Sequence, residues 1–182
     1  MIVFELVPNC NRYQNLGCSS EEDWAKLPQF DEGRLIPSWT SLSVKVLRDT
    51  KSNRNLPPGD FPHLTVGAPV FSLRAVNVLK DILLENGQIF PLSCSEGEYY
   101  IFNVITFIDA LDESRSEVMR FESSGRIMRV LKYAFFGDRL TGATIFKIPQ
   151  FPRSEVYVTD KFRKLVADNR LLGFSFPPIW EG

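Results

Sequence analysis

The sequence predicts an α+β fold: a largely antiparallel sheet carrying two main helices, at about 73–86 and 160–170. Three observations carry the prediction. Apolar residues recur with helical spacing over 73–86 and more briefly over 160–170. Short runs rich in Val, Ile, Phe and Tyr are separated by turn-forming residues, which is the pattern of hairpins. Strand signals dominate, with two helices among them, which gives the α+β class with a largely antiparallel sheet. The 182 residues fit a single domain, 1–182.

The first strand reads over Ile2–Val7 and is closed by Pro8. Residues 9–38 read as a long loop with one helical turn around Asp23–Leu27. Trp39–Leu47 alternates, with Leu42, Val44 and Val46 on one face, and so reads as a strand. Residues 48–62 break the pattern, and Lys51–Asp60, which contains Pro57, Pro58 and Gly59, reads as a mobile loop. Ser72 is placed to cap the 73–86 helix, Phe71 and Val76 form a hydrophobic staple across its start, and Asn86-Gly87 predicts a left-handed end. Two hairpins follow. One joins 89–94 to 99–108 through Ser95–Glu98, and the other joins 116–121 to 126–136 through Glu122–Gly125. In the second hairpin Ile127, Val130 and Leu131 do not keep one parity, so its inward face is ambiguous. Thr144–Ile148 and Val156–Val158 read as short strands, Thr159 as the cap of the second helix, and Phe174–Trp180 as a terminal extended segment.

Composition narrows the function classes. The chain is 44% hydrophobic with 15 Phe, enough for a core that needs no metal or disulfide staple. Its net charge is −1, so it has no global field for nucleic acid or anionic membrane. Cys10, Cys18 and Cys94 are odd in number and wrongly spaced for zinc, which predicts reduced thiols. The opening MIVFELVPN has neither a basic leader nor a long apolar stretch, and a cytoplasmic location is expected.

Catalytic patterns are sparse. The one histidine, His63, sits in Phe61-Pro62-His63-Leu64, where packing is the plainer reading and general-base chemistry the bolder one. There is no GxSxG elbow and no phosphate-binding glycine loop, and no His/Cys cluster suggests a metal, so no cofactor is expected. Asp109, Asp112, Glu113 and Glu117 crowd into nine residues between two strands. They could be a solvated turn, a patch facing a basic partner, or a hydrolytic acid pair. Charge is uneven: 93–123 carries seven acids and two bases, and 125–170 ten bases and four acids. Such halves can steer a partner, or cancel across adjacent strands.

Several short motifs then occur in a characteristic order: Asp60-Phe61-Pro62, Gly67-Ala68-Pro69-Val70-Phe71-Ser72, Phe90-Pro91-Leu92, Glu98-Tyr99-Tyr100 with Asn103-Val104, Ala110-Leu111-Asp112 with Ser116-Glu117, Arg126-Ile127-Met128-Arg129, Ile145–Pro149 and Gly173-Phe174. In this order the chain resembles the eleventh catalogued immunity-protein family of bacterial polymorphic toxin systems. The resemblance covers 57–182, with 1–56 matching loosely. It implies a protein that protects its producer by binding a cognate toxin, and it transfers no catalytic residue. An inhibitor needs only a complementary surface, about 800 Å² per partner, anchored by aromatics and arginine. The expected contact regions are the loop 48–60 and the acidic turn, Asp109, Asp112, Glu113 and Glu117, with Trp39 and Tyr99 as candidate anchors and Tyr133 and Trp180 behind them.

Two other classes compete with the inhibitor. A pocket holding His63 and carboxylates of shifted pKa would favour a small-molecule enzyme, using His63 or Asp112. A contiguous basic face with exposed aromatics in the C-terminal third would favour nucleic-acid binding.

Overall fold

A computed structural model describes residues 1–30, 33–48, 55–153 and 155–182. In chain order the elements are β1 (Ile2–Glu5), β2 (Val7–Pro8), β3 (Asn15–Cys18), α1 (Glu21–Lys26), β4 (Val44–Leu47), β5 (Val70–Ser72), α2 (Leu73–Asn86), β6 (Gly87–Pro91) and β7 (Tyr99–Val104). They continue with β8 (Glu117–Arg120), β9 (Ile127–Lys132), β10 (Ile145–Phe146), β11 (Tyr157–Thr159), α3 (Asp160–Asp168), β12 (Phe174–Ser175) and β13 (Pro178–Glu181). The paired strands run antiparallel, in one sheet ordered β10-β11-β1-β13, a second ordered β5-β7-β6, and three two-stranded ribbons, β2–β12, β3–β4 and β8–β9. The fold is α+β.

The first sheet separates two cores because its side chains alternate between faces. Phe4, Val156 and Val158 turn toward α2 and α3 and pack with Phe71, Leu79, Leu83, Phe102 and Phe162. Val3 and Tyr157 turn the other way, onto Phe135, Leu140, Phe146 and Ile148. A third cluster lies between β3–β4 and the second sheet, around Leu16, Phe30, Leu42, Val44 and Ile101. Truncating a fully buried phenylalanine such as Phe102 to alanine costs about 3–5 kcal/mol.

Helix α2 has the bounds its spacing predicts. The Ser72 hydroxyl accepts from Ala75 N–H at 3.1 Å, and Ala75, Val76, Leu79, Ile82 and Leu83 form the buried stripe. Its end differs from expectation. Gly87 is extended (φ 173°), not left-handed, and a Cβ there would lie 2.0 Å from the Asn103 carbonyl oxygen. Glycine is needed at this position for close approach of β6 to β7, not for a helix cap.

Thr159 also departs from its predicted role. Its hydroxyl donates to the Ala143 carbonyl at 2.7 Å and does not cap α3, while the Asp160 carboxylate accepts from Ile2 N–H. The stretch 9–38 contains more structure than it was expected to. Strand β3 pairs with β4, and α1 is capped by Ser20, whose hydroxyl accepts from Asp23 N–H at 3.1 Å. Of the alternating segment 39–47 only Val44–Leu47 pairs as a strand, although Leu42, Val44 and Val46 are all buried as the alternation predicts. The loop 48–60 lies partly outside the described residues, at 49–54. Among the described residues no helix is long and apolar enough to cross a membrane.

Candidate partner-binding surface

The acidic turn is a tightly bonded connector. Asp112 is buried, with its Oδ1 accepting from Ser114 N–H (3.0 Å), Ser114 O–H (2.6 Å) and Arg115 N–H (3.2 Å), and its Oδ2 accepting from Arg115 Nε. The Ser114 hydroxyl foremost, then the Arg115 guanidinium, hold its carboxyl down to about 2. A side chain engaged in this way fixes a turn.

The other three acids are exposed but matched. Glu113 receives Arg120 at 2.8 Å, which lowers its pKa, Asp109 lies 3.7 Å from Arg139, and Glu117 lies 3.9 Å from Lys132 across the β8–β9 ladder. The acidic and basic halves of the sequence therefore partly cancel at this end of the molecule. Lys147, another base of the C-terminal third, is fully buried, and Lys164 pairs with Asp168.

Of the two aromatic candidates one is interior and the other half-buried. Tyr99 is buried in the cluster beside the second sheet, and burial pushes its phenol up. Trp39 is half-buried, stacked on Phe90 at 4.7 Å, with its indole N–H donating to the Pro91 carbonyl at 2.9 Å. It covers the edge of β6.

The turn built by Asp112 leads directly into the β8–β9 ribbon. Ser116 fastens the ribbon's foot, its hydroxyl accepting from Ala134 N–H at 3.0 Å, and Asp112 N–H donates to the Ala134 carbonyl. At the tip Gly125 takes φ +67°, and its N–H donates to the Phe121 carbonyl at 2.8 Å. That left-handed backbone favours glycine. Val118, Ile127 and Val130 turn inward onto the Phe135–Tyr157 core. Four large apolar side chains stay outside: Met119 (45% exposed), Phe121 (48%), Met128 (44%) and Leu131 (56%).

Register explains two of the four. Glu117 pairs with Lys132 but Val118 with Val130, so Leu131 is an extra residue; Met119 pairs with Arg129 but Arg120 with Ile127, so Met128 is another. Each bulge re-aims one side chain. The two bulges are also the physical reason that 127–131 shows no single inward parity in the sequence.

Beside the ribbon's foot two acids meet that are distant in sequence. Glu5 stands opposite Tyr157 in the β1–β11 ladder, and Leu6 N–H donates to the Val156 carbonyl, which brings Glu155 alongside. Burial first, and the Glu155 carboxylate second, push the Glu5 carboxyl up. Glu155 Oε2 is sealed from solvent with no hydrogen-bond partner. Both acids line an apolar cavity of about 240 Å³ that also holds His63 and Cys10. They line as well a polar hollow of about 380 Å³, shared with Met128, Arg129 and Tyr133. The Tyr133 and Tyr157 hydroxyls lie 3.2 Å apart. Burial alone lowers the His63 pKa, and among the described residues its ring has no hydrogen bond to either acid. Among the described residues no three acid, His or Cys side chains gather as metal ligands.

The sequence reading did not single out this pair. The available signals are a glutamate inside the apolar run Ile2–Val7 and the alternation Glu155-Val156-Tyr157-Val158. The β1–β11 pairing that joins them has no local signature.

The model of the Immunity protein family (Imm11) matches residues 12–181, and the chain belongs to that family. The match takes in most of the stretch 1–56 that the motif order reaches only loosely. No curated protein matches the chain.

Proposed function

We propose that this protein binds a cognate bacterial toxin one to one and neutralises it by occupying its surface, without turnover, in the cytoplasm of the producing cell. The observation that carries the reading is the β8–β9 ribbon in a member of an immunity family: Met119, Phe121, Met128 and Leu131 stay exposed on this one hairpin. Large exposed apolar patches mark interaction sites. In this reading the four side chains form the desolvated centre of the contact. Asp109, Glu113 and Glu117, with Arg120 and Lys132, form its polar rim, where charges set approach and register more than affinity. The partner is a protein, and neither nucleic acid nor membrane is required.

The test is co-purification with the toxin encoded at the adjacent locus. A one-to-one complex that abolishes toxicity is expected, and its loss in Leu131→Asp without loss of folding would locate the contact. A fully protective Leu131→Asp/Met128→Asp double variant would exclude the ribbon.

A second reading, a small-molecule enzyme, is favoured by one observation: His63 shares a cavity with Glu5 and Glu155. Against it, neither acid raises the pKa of His63, as a general base oriented by a carboxylate would require. Turnover lost in His63→Ala, in a chain that still folds, would establish it.

A further inference from the structure

A hollow of about 400 Å³ opens where the start of β7, the first turn of α2, the segment Pro58–Asp60 and Leu172 come together. Strand register fixes which side chains face it. Ser72 stands opposite Tyr99 in the β5–β7 ladder, so the two side chains lie on one face, and on that face the Ser72 hydroxyl donates to Asp60 Oδ1 at 2.7 Å. The Tyr99 ring is sunk in the core, with 4% of the residue exposed. Its tip lies among the residues of the hollow: a Cβ on Gly97 would stand 3.1 Å from the hydroxyl oxygen, so glycine there leaves the tip uncovered. Among the described residues the Tyr99 hydroxyl makes no hydrogen bond, although it can both donate and accept.

The charges felt at this tip are negative. Burial foremost, then Cys94, Glu96 and Asp60, push the phenol up, so it stays protonated at pH 7 with two carboxylates close by. The neighbouring bases are engaged elsewhere. Arg74 donates to Asp60 Oδ2 at 2.8 Å and to the Asn169 and Arg170 carbonyls at 2.8 and 3.1 Å. Asp60 is held further by Leu172 N–H. Glu96 is bridged by Arg48 alone, in a pair exposed on both sides (38% and 53%), and such a bridge contributes little, so a competing cation displaces it at small cost. Leu73 and Leu172, which also line the hollow, each leave a large apolar side chain exposed.

An unbonded hydroxyl, a weakly held carboxylate and an apolar border match a lysine side chain, an apolar stem beneath three N–H donors. We infer that this hollow is a second contact of the toxin interface, separate from the ribbon: it takes one lysine side chain of the toxin, whose ammonium donates to the Tyr99 hydroxyl oxygen and to the Glu96 carboxylate. The inference rests on the toxin-binding reading above.

Two arms test it. In the first, the full chain is titrated by NMR with N-acetyl-lysine methylamide, and with the uncharged norleucine analogue as control. Saturable shifts at the Leu73, Gly97 and Glu98 amides are expected for the lysine probe only. Tyr99→Phe, which keeps the ring in its core and removes only the hydroxyl, should weaken the probe about tenfold. Glu96→Gln, at an exposed position, should weaken it as well and serves as the test if Tyr99→Phe lowers the melting temperature. Absence of saturation, equal binding of the norleucine analogue, or unchanged binding in a folded variant would overturn the inference. In the second arm the same variants are bound to the toxin. Affinity should fall by about tenfold in Tyr99→Phe, and the lysine probe should no longer titrate the hollow of the wild-type complex. Unchanged affinity, or a hollow still open to the probe in the complex, would remove this inference and leave the toxin reading standing. Failure of the wild-type chain to form any complex would remove the toxin reading first and this one with it.

Discussion

The acidic turn at 109–117 and the ribbon that follows it are adjacent in sequence and opposite in character. The turn is conspicuous as sequence, with four acids in nine residues, yet in the fold Asp112 is buried in hydrogen bonds and Asp109, Glu113 and Glu117 each have a cation within 4 Å. The ribbon is unremarkable as sequence, yet it leaves four large apolar side chains uncovered. Charge density along a chain does not measure what a surface has to offer. What remains unmatched after folding does, and here that includes the apolar ribbon and Glu155 Oε2.

The comparison can be broken most directly by charging the ribbon. Leu131→Asp with Met128→Asp should weaken the toxin complex about 100-fold or more by calorimetry, as loss of central anchors does, and leave the melting temperature nearly unchanged. A large effect on folding instead would mean that the exposed face is structural.

The next effect in size belongs to the turn and falls on stability. Asp112→Asn should lower the melting temperature by several degrees at neutral pH, because the carboxylate accepts four hydrogen bonds in the fold. The folded pKa of about 2 lies below the ordinary 3.8, so the charged form is the one the fold stabilises. That contribution is complete above about pH 4 and is lost as pH falls toward 2. The gap between wild type and Asp112→Asn should therefore close over this window in acid unfolding curves.

A smaller effect of opposite sign separates the acids of the turn from those of the cavity. Glu5 has a raised pKa, so its ionisation opposes folding above its unfolded value near 4.5. Glu5→Gln should stabilise the free chain at pH 7 by less than about 1 kcal/mol after solvent screening, and the gain should vanish below about pH 4. A loss of stability at pH 7 would mean that Glu5 has a cationic partner.

The smallest effect is expected at the rim. Glu113→Gln and Glu117→Gln should each change stability by no more than about 0.5 kcal/mol and affinity less than about threefold, with a reduced salt dependence of association. A tenfold loss in either would restore the acidic turn as the main contact.

The parts of the fold legible in sequence are those whose signals are local. The stripe of α2, the Ser72 cap and the alternation at Leu42, Val44 and Val46 all state in a few residues which side faces inward. Strand β3 was not legible, since Asn15-Leu16-Gly17-Cys18 has little strand character and is held by its pairing with β4. Gly87 was read for its backbone freedom, but its position depends on the Asn103 carbonyl sixteen residues away. For the candidate site the same division holds. Asp109, Glu113 and Glu117 could be seen to be exposed, whereas Glu5 and Glu155 become neighbours only through a ladder joining the two ends of the chain. The ribbon's outer face was hidden by its two bulges, which break the period that would have revealed it.

Those bulges also determine how the ribbon can be used. An extra residue at Met128 and another at Leu131 put β9 out of step with a regular strand, so neither a second copy nor a flexible peptide can extend it by continuous main-chain pairing. Recognition then rests on side chains, and these can be exchanged one at a time while the inward Val118–Val130 pair keeps the backbone in place. A lineage could follow a drifting toxin by such exchanges without refolding its inhibitor.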